Sequence, residues 1–211
     1  MDDFLIYLGY LILLINLILY AFSFFRKEKA NVFFVSYLAF SFVMQFSMEL
    51  VYSLHLSNLF LVNIFVIGQM LFLGLFYHSI LKLKNQKQIV KWGLIITLLI
   101  LGIQFCVEPQ LFFKFNLFEI TVTSLMIVVF ALLHFYNMLT ESKTYYYVTI
   151  AVILFMLGST ILYLVGNLTL TLSENLKYLS WKLNAFLFII YHLLIMYEWK
   201  RSFFKMTILN E

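Results

Sequence analysis

The chain has 211 residues, of which 64% are hydrophobic and 11% charged, with a formal net charge of +4 and a mean hydropathy of +0.98. Ordinary soluble domains are roughly half apolar and about a quarter charged, and a domain this size could not hide so much apolar surface inside itself. Lipid must solvate most of the chain, which leaves no length for a soluble kinase, nuclease or nucleotide-binding domain.

Apolar runs of spanning length divide the chain into seven segments, read as transmembrane helices over roughly 4–25, 31–53, 58–81, 91–107, 115–138, 146–167 and 178–199. No run alternates apolar and polar residues, so a transmembrane barrel is not expected. The expected fold is an all-α bundle forming one domain. Span one begins with acidic Asp2 and Asp3, and no small-residue cleavage site follows it, so it is read as a retained helix rather than a signal peptide. Spans two and three are separated by a polar break from Ser53 to Asn58. Lys82 to Lys91 forms a basic break before span four, which is the shortest and is bracketed by Lys91 and Glu108. Pro109, the only proline, falls in the next break, where it costs no helical hydrogen bond. Proline-free spans argue against the broken helices of many secondary transporters. Breaks at Thr140 to Thr144 and Thr169 to Lys177 delimit span six.

Alternate breaks sort the basic residues. One side collects Arg26, Lys27, Lys29, Lys82, Lys84, Lys87, Lys91, Lys143, Lys200, Arg201 and Lys205, and the other only Lys114, Lys177 and Lys182. Basic residues mark the cytoplasmic side, so the N-terminus is expected outside and the C-terminus inside, in a bacterial inner membrane. Tyr and Trp near the span ends fit interfacial belts.

Ionisable and amide side chains within lipid are costly, so each suggests a function. An outer set comprises Gln45 and Glu49 on span two, Asn63 on span three, Glu119 on span five, Tyr163 and Asn167 on span six, and Lys182 and Asn184 on span seven. Gln45, Glu49 and Tyr52 share one helix face. Glu49 or Glu119 paired with Lys182 would line a polar pocket opening outward, suited to a small hydrophobic or amphipathic molecule. The plain alternative is interhelical hydrogen bonding or reach to the interface. An inner set is His78, His134 and His192, on spans three, five and seven. Three histidines suit a catalytic zinc, yet no paired-histidine spacing and no spanning aspartate accompanies them, so no metal or other cofactor is expected. Lys182 invites comparison with a retinal-binding lysine, but span three offers no carboxylate counterion, and snorkelling accounts for it. Cys106 stands alone, which excludes an internal disulfide. No nucleophile motif is present, and Gly68, Gly74, Gly158, Ser159 and Gly166 read as positions of close helix approach. No polar stripe runs the length of a helix, as a self-assembled pore would need.

The stretch Asn58–Phe65 (NLFLVNIF), continuing to Leu75, Phe76 and Tyr77, and the stretch Phe155–Tyr163 (FMLGSTILY), ending at Asn167, resemble a broad set of small bacterial multi-span membrane proteins. That set includes membrane accessory proteins encoded beside RNA-targeting type VI CRISPR effectors. The resemblance covers spans two, three, six and seven and is carried by apolar residues. It implies an auxiliary, non-enzymatic role in antiviral defence, and it transfers no catalytic residues. The leading expectation is a non-catalytic accessory or sensor-like protein acting through a cytosolic protein at Lys82, Lys84, Lys87 and Lys91 and at the Lys200, Arg201 tail. Direct nucleic-acid binding is not expected there, because no aromatics interleave those lysines. The alternatives are the outward-facing binder or carrier and a membrane-embedded hydrolase using the histidines or the two glutamates.

Overall fold

The computed structural model describes residues 2–26, 30–140, 143–168 and 174–204. Its helices are α1 (Asp2–Phe25), α2 (Val32–Ser53), α3 (Leu59–Ile80), α4 (Lys84–Val107), α5 (Leu117–Asn137), α6 (Tyr146–Leu168) and α7 (Glu174–Trp199). A short 3-10 turn, Pro109–Phe113, precedes α5, and a π-helical turn, Lys200–Phe204, continues α7. All seven α-helices are long and apolar enough to cross a membrane, and no strand occurs among the described residues. The chain is a multi-pass, all-α membrane bundle. Lys27, Lys29 and Lys205 of the basic set, and the break at 169–173, lie outside the described residues.

Local chemistry explains the helix starts. Asn31 caps α2, its Oδ1 accepting from the Phe33 and Phe34 amides at 2.9 and 3.4 Å. Asn116 does the same for α5 through the Glu119 amide. Pro109 opens the 3-10 turn, where its missing N–H is not needed.

Two helices begin earlier than expected, α7 at Glu174 rather than 178 and α4 at Lys84 rather than 91. The segment 84–90, read as part of a polar break, is the first two turns of α4. Lys84, Lys87 and Lys91 are spaced to share a single face of that helix. Gln86, Val90, Leu94, Thr97 and Leu101 form the buried face, about a quarter turn round the helix from the lysines. The lysines mark a helix surface rather than a loop.

The helices pack in the order α1, α2, α3, α5, α6, α7 and back to α1, a closed ring of six, while α4 lies outside against α3 and α5. Water-driven burial is absent between helices in lipid, so close packing and polar contacts must hold them. Close packing shows at glycines. A Cβ on Gly158 would stand 2.5 Å from Leu187 of α7, and one on Gly74 2.6 Å from Leu94 of α4. Gly68 similarly accommodates the Phe40 ring of α2. Phe46, Leu99, Ile103 and Phe186 are exposed, as lipid-facing residues must be.

The buried apolar core is not spread evenly along the ring. The contiguous core extends from the basic end, where Arg26, Lys84 and Lys200 lie, only as far as Leu13, Leu38, Met70, Ile127, Met156 and Tyr191 on the ring helices. Tyr20, Phe34, Tyr37, Phe76, Tyr77 and Tyr191 fill its centre and are fully buried. Beyond them, toward the far end, the walls of α2 and α3 are mostly half-buried.

Candidate functional site: polar groups inside the ring

The polar residues expected to converge at the far end fall in separate places. Between α1 and α2, the Tyr7 hydroxyl donates to Glu49 Oε1 at 3.3 Å, with the Tyr10 ring edge-on to Tyr7. Gln45 is half-buried one turn deeper, and Tyr52 is 69% exposed. Between α6 and α7, Asn184 accepts from Ser159 Oγ at 2.8 Å and donates to the Tyr163 hydroxyl at 3.1 Å. Asn167, at the end of α6, is exposed. Lys182 is half-buried, its ammonium 4.1 Å from the centre of the Tyr178 ring, a cation–π contact.

The remaining pair, Asn63 on α3 and Glu119 in the first turn of α5, is the most enclosed. Asn63 and Glu119 are both 0% exposed. Asn63 Nδ2 donates to the carbonyls of Leu111, Phe112 and Lys114 at 3.3, 2.8 and 3.1 Å. It thereby pins the connection from α4 to α5. The Glu119 carboxylate has no hydrogen-bond partner at either oxygen, and neither does Asn63 Oδ1. An unsatisfied buried carboxylate is costly, so Glu119 stands apart from the other polar groups.

The histidines stay apart. Among the described residues no three metal-ligating side chains come together. His134 Nδ1 lies 2.9 Å from Thr149 Oγ1, bridging α5 and α6. His192 Nδ1 lies 3.4 Å from Asn16 Nδ2, which also donates to the His192 carbonyl at 2.8 Å and so joins α1 to α7. His78 is half-buried at the end of α3. Thr149 is fully buried, so its contact with His134 is a helix-to-helix bond and not an accessible nucleophile.

Several polar residues gain their importance only in the fold. Gln86 and Asn137 exchange two hydrogen bonds, 2.9 and 2.7 Å, between α4 and α5. Gln69 and Tyr191 both donate to the Tyr37 hydroxyl, at 3.1 and 2.9 Å, tying α3 and α7 to α2. At the basic end Glu198 is 2% exposed. Its Oε2 accepts from the Tyr147 amide of the first turn of α6 at 2.8 Å, and its Oε1 from Ser202 Oγ. A lone acid beside Trp199, Lys200 and Arg201 was the available signal for it. Tyr145, just before α6, adopts a left-handed φ of 55°, uncommon for a bulky residue. Its ring packs on Phe34 and Phe76, and its hydroxyl accepts from the Asn31 amide at 2.7 Å. Burial pushes the Tyr145 phenol up to about 12, with the Glu198 charge adding to the rise and the Asn31 bond opposing it.

No family model, curated protein or solved structure matches the chain.

Proposed function

We propose that this multi-pass bundle is a non-catalytic accessory or sensor-like protein of the bacterial inner membrane that acts through a cytosolic partner at its basic end. The observation that carries this reading is the lysine face of α4. Lys84 and Lys91 are exposed and Lys87 half-exposed, on a helix that lies outside the ring and contacts only α3 and α5 among its main neighbours, and exposed Lys82 lies just before it. A basic face at a membrane surface attracts anionic lipid and acidic protein surfaces. Lys200 and Arg201 lie at the same end, in the turn after α7. The resemblance of the apolar stretches 58–77 and 155–167 to a set that includes type VI CRISPR accessory proteins suggests a finer form, in which the partner is an RNA-targeting effector.

A photo-crosslinker placed at exposed Gln88 tests the reading in living cells. A discrete cytosolic protein should be captured and should be lost in the K84E/K87E/K91E variant, with a C-terminal reporter verifying unchanged orientation. Capture of lipid alone, or a crosslink indifferent to the charge reversal, refutes it. For the finer form, the plating efficiency of an RNA phage or transcribed DNA phage is compared with and without the chain in cells carrying such an effector.

The half-buried walls of α2 and α3 toward the far end favour a second reading, binding of a small hydrophobic or amphipathic molecule from outside. Native mass spectrometry of the purified chain should then show a retained molecule that an N184L substitution releases. Retention unchanged by that substitution counts against the reading.

A further inference from the structure

At the basic end of the bundle, the seam between α1 and α7 carries a groove of about 400 Å³, lined by Leu19, Leu193, Met196, Tyr197, Trp199 and Lys200. Its walls are almost wholly apolar. Leu193, Met196, Tyr197 and Lys200 recur at helical spacing and share one face of α7 and the turn that continues it. Leu193, Tyr197 and Lys200 are exposed there, whereas Tyr191, Ile195 and Glu198 on the opposite face are buried. The groove therefore opens outward, to lipid.

The two helices run parallel and in register. Asn16 bonds the His192 carbonyl, Tyr20 the Ile195 carbonyl and Trp199 the Ser23 hydroxyl, separations of 176, 175 and 176 residues. With that offset, Arg26 just past α1 and Lys200 just past α7 differ in height by less than one helical turn. The Arg26 guanidinium lies 4.2 Å from the centre of the Phe22 ring. Phe22 is exposed and follows Leu19 by one turn on the same face. The next cation is held elsewhere, because Arg201 Nη1 donates to the Tyr147 hydroxyl of α6 at 2.8 Å. The neighbouring acid, Glu198, is on the buried side of α7, accepting from the Tyr147 amide and from Ser202 Oγ.

Shape and charge select the occupant. A partner helix about 10 Å across would fill this volume with about one turn, too little to dock on, whereas an acyl chain is narrower and bends. Two cations at the end of an apolar slot match an anion joined to a hydrocarbon tail. Bulk lipid solvates every outward face, but a basic pocket between helices retains a particular headgroup. Trp199, bonded to Ser23 at 2.9 Å, marks the headgroup level, as interfacial indoles do. We propose that this groove binds one anionic phospholipid from the leaflet at the basic end, its acyl chain against Leu19, Leu193 and Met196 and its phosphate facing Lys200 and Arg26. Ring order puts the groove across the bundle from α4, so the site is independent of whatever docks on the lysine face.

The test titrates the full chain in detergent with an equimolar mixture of phosphatidylglycerol and phosphatidylcholine of identical acyl chains, read by native mass spectrometry. About one phosphatidylglycerol should be retained per chain, with a preference of about thirtyfold, from about fivefold for each cation. K200Q should lower that preference about fivefold and R26Q/K200Q should remove it, while K84Q/K87Q/K91Q leaves it unchanged. L193W, which fills the groove, should reduce retention of both lipids. Equal retention of the two lipids overturns the proposal, as does binding that climbs without a step at one lipid. So does a preference that survives in R26Q/K200Q or is lost in K84Q/K87Q/K91Q, or retention unchanged in L193W. Should R26Q/K200Q fail to fold, the wild-type competition and K200Q decide the matter, a preference unchanged in K200Q refuting the site.

Discussion

The double amide bridge between Gln86 and Asn137 offers the most direct test of how the outlying helix is held. Both residues are buried, and the two bonds run in opposite senses, 2.9 and 2.7 Å long. Replacing Gln86 with Leu removes both bonds at once and strands the Asn137 amide. Interhelical hydrogen bonds in lipid average about 0.6 kcal/mol and reach about 1.7, while a stranded buried amide costs about 1–3 kcal/mol. Q86L should therefore destabilise the bundle by about 1–3 kcal/mol, and N137L by a similar amount. The double variant Q86L/N137L strands nothing, so it should cost less than the two singles together, with a coupling of about 1–2 kcal/mol. Equilibrium unfolding in mixed micelles of mild detergent and dodecyl sulfate measures all four proteins. Strictly additive losses would show that the two amides act separately and would refute the argument.

Three further outcomes follow from the packing. G158V should lower stability by about 1–3 kcal/mol in the same assay, because even a Cβ would meet Leu187 at 2.5 Å; an unchanged midpoint would mean that α6 and α7 are not in this close contact. E198A should cost about 1–2 kcal/mol and speed amide exchange at Tyr147, whose N–H it leaves unpaired. The Tyr145 phenol ordinarily titrates at 10.0 and is held at about 12 in the fold. The unfolded chain therefore gives up this proton first as pH rises. The stability contributed by neutral Tyr145 is full below pH 10 and is lost between about 10 and 12, at up to about 1.4 kcal/mol per pH unit. Y145F should show a shallower alkaline fall in its thermal midpoint.

Hydropathy alone carries depth along the membrane normal. Spans two, three, five and six lie within two residues of their expected ends because each is an uninterrupted apolar run bounded by polar residues. The beginning of α4 was obscured because lysine density resembles a loop when helical period is ignored. Read at 3.6 residues per turn, Lys84, Lys87 and Lys91 separate from Gln86 and Val90, and the helix becomes visible. Azimuth is the quantity that a single sequence withholds. His78, His134 and His192 share a depth but belong to α3, α5 and α7, and α7 packs against neither of the other two in the ring. Glu49 and Glu119 share the far end, yet the first is bonded to Tyr7 of α1 and the second is buried in the first turn of α5 without a hydrogen-bond partner. Pairings such as Asn16 with His192, 176 residues apart, depend on which helix stands beside which.

The order of the ring has a consequence for biogenesis. The wall beside the first helix is supplied by the last. Asn16 bonds the His192 carbonyl, Tyr20 the Ile195 carbonyl, and Ser23 the Trp199 indole. Until the ribosome has delivered the seventh helix, the nascent bundle is a crescent whose opening edge shows three polar groups to lipid. A chain halted after its sixth helix would therefore hold a ready-made seam for a quality-control protease or a foreign helix, a seam that α7 closes.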